Sequence, residues 1–139
     1  MLILFGNFVI SLLILSQELP ESIKGIFCKI NTGEGKTTII QFLAAYKVLL
    51  GNKVDIVSSS LVLASRDAKK REFFDALEIK VNVLKEVLKE NEDPYSADIV
   101  YGDANNFSAD ILKEEYELTP TRRNRGFDVV IIDEVDNID

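Results

Sequence analysis

Short apolar blocks alternating with amphipathic blocks constrain this chain more than any other property. "GIFCKI" (residues 25–30) is an apolar run of strand length, and "KTTIIQFLAAYKVLL" (36–50) places Ile39, Ile40, Leu43, Ala44 and Tyr46 or Lys47 near helical spacing. Gly51-Asn52 then supplies a C-cap signal. "KVDIVSS" (53–59) predicts a second strand. Ser60 is an N-cap candidate, and "LVLASRDAKKREFFDAL" (61–77) predicts a helix with Leu61, Ala64, Phe73, Phe74 and Leu77 available to face a sheet. "KVNVL" (80–84) alternates like a strand, "KEVLKE" (85–90) predicts a short helical or turn segment, and "NEDP" (91–94) breaks the chain. "ADIVYG" (97–102) predicts a strand and "NNFSADILKEEY" (105–116) a helix. "LTPTRRNRG" (118–126) predicts a loop, and "FDVVIIDEVD" (127–136) an apolar strand ending in acids. Strands separated by helices imply an α/β fold with a mostly parallel sheet covered on both faces. No internal repeat or linker divides the chain.

With 139 residues there is room for one core. Hydrophobic residues at 47% and charged residues at 28% match a soluble globular α/β domain. Acids outnumber bases 23 to 16, for a net charge of -7, so the chain as a whole repels a phosphate backbone and nucleic acid is a disfavoured partner. Cys28 is the single cysteine, which excludes an internal disulfide, and its apolar surroundings predict a buried thiol. No histidine is present, so carboxylates, lysine and hydroxyls must carry any chemistry.

The N-terminal run "MLILFGNFVISLLILS" has no charged side chain before Glu18. It lacks the basic start and small-residue cleavage site of a signal peptide, and it falls short of the ~20 residues that span a bilayer. A core helix over residues 1–22 is expected, with a targeting or membrane segment as the alternative.

"NTGEGKTT" (31–38) lies between a predicted strand and a predicted helix. A P-loop needs backbone N–H groups turned onto phosphate, which Gly33 and Gly35 permit. It also needs a cation for the β/γ-phosphates, which Lys36 supplies, and a hydroxyl for Mg²⁺, which Thr37 supplies; the helix behind adds the positive end of its dipole. Ile30 stands where the full pattern has its first glycine. A second signal follows: Val129 to Ile132 lead into Asp133-Glu134-Val135-Asp136, as a buried strand would deliver carboxylates to the edge of the sheet. In such sites the first acid, Asp133, holds Mg²⁺, and the second, Glu134, polarises the attacking water.

"TGEGKT", "SSSLVLASRDA", "YGDANNFSADIL" and "DEVDNID", in this order and at these separations, resemble the first nucleotide-binding domain of the SecA preprotein-translocase motor ATPases. The closest likeness is to divergent SecA-like domains of some eukaryotic microbes, and it spans roughly residues 23–139. A RecA-like helicase core of superfamily two would explain the first and last motifs, including the absent first glycine, but not "RDA" or "YGDANNF" as well. The resemblance implies a three-layer RecA-like domain that binds ATP or ADP with Mg²⁺. The phosphate-binding set is Thr32, Gly33, Glu34, Gly35, Lys36 and Thr37, with Thr37 and Asp133 on the metal and Glu134 as the catalytic acid. It also implies that Ser59, Ser60, Arg66 and Asp67 belong to a segment linking nucleotide state to the rest of the motor.

From the residues alone, Arg66 and Asp67 read as a solvated helix face, and Arg122, Arg123 and Arg125 as an exposed basic loop. The chain departs from the family in three ways. Neither Gln17 nor Asn7 matches the expected adenine-reading glutamine. Glu78 occupies a helix exit where the family tends to have glycine. The preprotein-crosslinking region and the second nucleotide-binding domain lie outside these 139 residues. The expected partners are nucleotide and either a complementary nucleotide-binding domain or a polypeptide substrate. The expected location is the cytoplasm, with peripheral membrane association as the alternative. A helicase-like fragment and a non-catalytic interaction module remain the competing readings.

Overall fold

The computed structural model describes residues 2–5, 16–30, 35–68, 72–85 and 92–133. The apolar blocks form strands and every ladder among them is parallel: β1 (Leu2–Phe5), β2 (Ile26–Lys29), β3 (Val54–Ser58), β4 (Val81–Val83), β5 (Ile99–Asp103) and β6 (Val129–Ile132). Parallel neighbours need a crossover between them. Here the amphipathic blocks provide it, as α1 (Lys36–Leu49), α2 (Leu61–Ala68), α3 (Glu72–Ala76) and α4 (Ala104–Tyr116). β3 to β6 make one four-stranded sheet in the order β4-β5-β3-β6, while β1 pairs with β2. The fold is α/β with a parallel sheet, as the alternation requires.

The two faces of the sheet are covered by different helices. Ala44 and Ala45 of α1, Ala64 of α2 and Phe74 of α3 pack on Val54, Ile56, Val81, Val83, Ile99 and Tyr101. Val57, Val100, Leu84, Tyr95, Ala97 and Phe107 of α4 form the second layer of the core. A Cβ on Gly102 would stand 2.8 Å from Leu84 Cδ1 and 2.9 Å from Phe107 Cε2, so glycine lets α4 settle directly on the β5 backbone.

Several expectations meet a different outcome. Leu2–Phe5, the start of the segment expected to be a core helix, is a strand, with Leu2 opposite Ile26 and Phe5 opposite Lys29. An unbroken apolar run fits either period, and here β2 offers ladder hydrogen bonds to its backbone. Residues 6–15 of that segment lie outside the described residues, and among the described residues no helix is long and apolar enough to cross a membrane. The block 61–77 gives two described helices, with Phe74 fully buried but Leu77 37% exposed. Most of the predicted 85–90 segment is outside the described residues, and a 3-10 turn, Pro94–Ser96, follows the "NEDP" break. Cys28 is half-buried rather than enclosed. Glu78, at the exit of α3, has φ 57°, a left-handed value that costs a non-glycine residue on the order of 1 kcal/mol.

The largest correction concerns the loop 118–126. Arg123 is exposed as expected, but the Arg122 and Arg125 side chains are only 2% and 3% exposed, and both close on Asp55 of β3. An acid within the strand "VDIVS" must find partners if it is buried. These two arginines, 67 and 70 residues further along the chain, supply them.

Nearby, Asp98 accepts hydrogen bonds from Lys53 Nζ at 2.9 Å and from the Lys80 amide at 3.0 Å. Burial alone would raise its carboxyl, but those two bonds and the charges of Lys53 and Arg125 outweigh it and hold the pKa below the ordinary value. A carboxyl depressed in the folded state stabilises the protein above its unfolded pKa, and that contribution disappears as pH falls through the folded value. Acidification from about pH 5 to about pH 3 is therefore expected to destabilise the wild type more than Asp98→Asn. Urea melts at the two pH values check this; equal losses in both proteins would contradict it.

Candidate functional site

The described part of the segment "NTGEGKTT" begins at Gly35. This residue is the N-cap of α1 with φ 77° and ψ 33°, left-handed values that glycine adopts without a Cβ clash. Its carbonyl accepts from the Ile39 amide at 3.0 Å, closing the first turn of α1. The cap carries no side-chain hydrogen bond and the first turn of this 14-residue helix holds no acidic residue, so its own first turn sets no carboxylate against the positive dipole end. Lys36 and Thr37, both half-buried, open that helix. Thr32, Gly33 and Glu34, the rest of the predicted phosphate-binding set, lie outside the described residues.

The second half of the site arrives on β6. Val129 to Ile132 pair with Val54 to Val57 of β3 in parallel, and one residue later the Asp133 amide donates to the Val57 carbonyl at 2.8 Å. That bond ties the carboxylate-bearing residue to the C-terminal edge of the sheet. Asp133 is 9% exposed, and its Oδ1 lies 2.9 Å from Lys36 Nζ, an ion pair without hydrogen-bond alignment. Two residues 97 positions apart, one opening a helix and one ending a strand, are thus brought together as the two motifs predict. Glu134, the predicted catalytic acid, lies outside the described residues.

Neighbouring strand ends add polar groups to this edge. Ser58, at the end of β3, is buried, and Ser59 and Ser60 follow it into α2. Asp103, at the end of β5, caps α4 by accepting from the Asn106 amide at 2.8 Å. Arg66 is exposed on α2, as expected of a solvated face; the side chain of Asp67 is outside what is described.

The donor set fits a magnesium nucleotide. A helix whose first turn carries no acid would accept phosphate oxygens, Lys36 would meet them as a point charge, and Asp133 with the Thr37 hydroxyl would offer hard oxygen ligands to a divalent cation. A carboxylate buried to this degree, with only a poorly aligned ammonium contact at Oδ1, suits a cation better than it suits the protein alone. Sequence reasoning missed Asp55, Tyr95 and Asp110. Tyr95 Oη donates to Asp110 Oδ2 at 2.6 Å, and burial and that carboxylate push the phenol far above its ordinary value, so it stays a donor. A lone acid inside an apolar strand was the signal that could have found the Asp55 cluster.

Comparison with known proteins places the chain in a family. Residues 9–138 match the SecA DEAD-like domain. The chain is 36% identical over 119 residues to the protein translocase subunit SecA of Ehrlichia canis, covering 83% of this chain and 14% of that protein. Against the SecA subunit of Acidithiobacillus ferrooxidans the figures are 36%, 83% and 13%, and against that of Methylobacillus flagellatus 34% over 118 residues, 82% and 13%. The chain therefore spans about one seventh of the length of these relatives. No solved structure matches it. With the family match running through both motifs and nearly the whole length, the chain belongs to the SecA DEAD-like domain family.

Proposed function

We propose that this chain is a nucleotide-binding module of the protein-translocation motor type that takes up Mg²⁺-ATP or ADP at the α1 start, with residues 23–139 as the nucleotide-binding unit. The observation that carries this reading is the 2.9 Å approach of Lys36 Nζ to Asp133 Oδ1. Thr32 to Lys36 would hold the phosphates, Lys36 on the β/γ oxygens, while Thr37 and Asp133 hold the metal and Glu134 orients water. Bound Mg²⁺ would neutralise charge on the phosphates and draw Asp133 away from Lys36. Phosphoryl transfer also requires charge stabilisation at the γ-phosphate from across the cleft. We assign that role to a complementary nucleotide-binding domain, and the moved cargo to a polypeptide.

Calorimetric titration with ATP and ADP, with and without Mg²⁺, is the test of binding. Affinity strengthened by Mg²⁺ is expected; no heat with either nucleotide would end this reading in favour of an interaction module. Salt-dependent binding to single-stranded nucleic acid in place of nucleotide-linked protein binding would favour a helicase-type function. For the chemistry, turnover by these 139 residues is expected near background, with Glu134→Gln changing little until the complementary domain is added. Steady multiple turnover by the 139-residue chain alone, lost in Glu134→Gln, would show that the site is sufficient by itself.

A further inference from the structure

The block "VVII" in β6 is apolar at all four positions, so its pattern cannot choose which residues face the core. Val129 and Ile131 pack inward, whereas Val130 and Ile132 are 47% and 51% exposed. A slip of one residue would exchange them at little hydrophobic loss, and would turn Asp133 to the other face of the sheet. A slip of two would carry it about 6–7 Å along the strand. Among the described residues β6 stands at the end of its sheet, with β3 as its ladder partner.

A polar clamp sits just before β6. Asp55 of β3 accepts from Arg122 Nη2 at 2.8 Å and from Arg125 Nε at 2.9 Å. Arg125 continues outward, with Nη2 donating to the carbonyls of Val54 at 3.0 Å and Asp98 at 3.3 Å, and Nη1 to those of Tyr95 and Ala97. The Arg122 guanidinium lies between the rings of Tyr95 and Phe127, 4.9 Å and 4.3 Å from their centroids. The loop that carries both arginines has positive φ at Leu118, Arg123 and Asn124, a conformation non-glycine residues keep only when their surroundings impose it. Unlike the apolar block, this set of directional bonds has one register: Asp55 is opposite Val130, and Val54, which bonds Arg125, is opposite Val129.

We propose that Asp55, Arg122 and Arg125 are positioning residues that set the register of β6 against β3 and so place Asp133 beside Lys36. The proposal deepens the nucleotide-binding reading, but the clamp itself is testable without nucleotide. Amide hydrogen exchange of the full chain would follow the Asp133 N–H, bonded to Val57, against the Leu84 N–H, bonded to Tyr101 on the far side of the sheet. In Arg125→Met, which keeps length and loses the donors, exchange at Asp133 is expected to rise about tenfold or more while Leu84 changes less than about twofold. Should that variant fail to fold, Asp55→Asn carries the same comparison. Equal acceleration at the two amides, or none at Asp133, would overturn the proposal, since it would leave the clamp only a general stabiliser. If wild type binds ATP, its gain in affinity from Mg²⁺ should shrink in the variant while metal-free affinity stays constant; an unchanged gain would also overturn it. Absence of nucleotide binding in wild type would remove the proposed function while the exchange result still decides the clamp.

Discussion

Lys36→Ala is expected to weaken Mg²⁺-ATP binding by about 2 kcal/mol or more, roughly thirtyfold, with the fold retained. Lys36 opens α1 at the helix end whose N–H groups would meet phosphate, and no acidic residue in the first turn competes for it. Charge-assisted bonds to phosphate are the strong ones, and alanine leaves the loop amides without that partner. The contact with Asp133 reduces the net gain, because that ion pair must open before Lys36 can turn to the ligand. A second effect accompanies the first: in the unliganded variant the Asp133 carboxylate stays buried and loses its counter-ion, so Mg²⁺ alone is expected to stabilise Lys36→Ala more than wild type. Titration calorimetry and thermal melts with and without Mg²⁺ measure both; equal nucleotide affinity in the two proteins would sink the assignment of this loop.

Asp55→Ala is expected to lower stability by about 3–5 kcal/mol, the range for removing one member of a buried charged group. Arg122 and Arg125 would then lie within the core without their carboxylate, and Arg122 Nε and Nη1 already have no hydrogen-bond partner among the described residues. The cost of leaving two desolvated guanidinium charges uncompensated outweighs the loss of the bonds themselves, so truncating an arginine at the same time should recover part of the stability. Urea denaturation of Asp55→Ala and of Asp55→Ala with Arg122→Met checks this. A loss under about 1 kcal/mol in the single variant would mean the cluster is solvated like a surface pair.

How much of this was legible in the sequence depends on whether the determining contacts are local. The strand Ile26–Lys29, the helix Lys36–Leu49 and the later strand and helix blocks are written in period and turn residues, and among the described residues they appear where the pattern puts them. The nearness of Lys36 to Asp133 could likewise be read ahead, because a helix start and a strand end fix positions by backbone geometry. By contrast, the burial of Arg122 and Arg125 depends on an acid 67 and 70 residues away, and a run of arginines beside proline and glycine otherwise looks like solvated loop. The same holds for Leu2–Phe5: an apolar run does not state its period, and only its pairing with β2 decides it.

The separation of Asp55 from its arginines also orders the assembly of the molecule in time. β3, β4 and β5 all precede residues 122 to 133 in the chain, so until that later segment docks, Asp55 is an unmatched charge in an otherwise apolar layer. Long-range closures of this kind are the slow steps of folding, because loop entropy is lost before any contact compensates it. Docking of the two guanidinium groups completes that layer, and the same stretch of chain carries Asp133 to the sheet edge, so the last part of the core and the site share one closing segment.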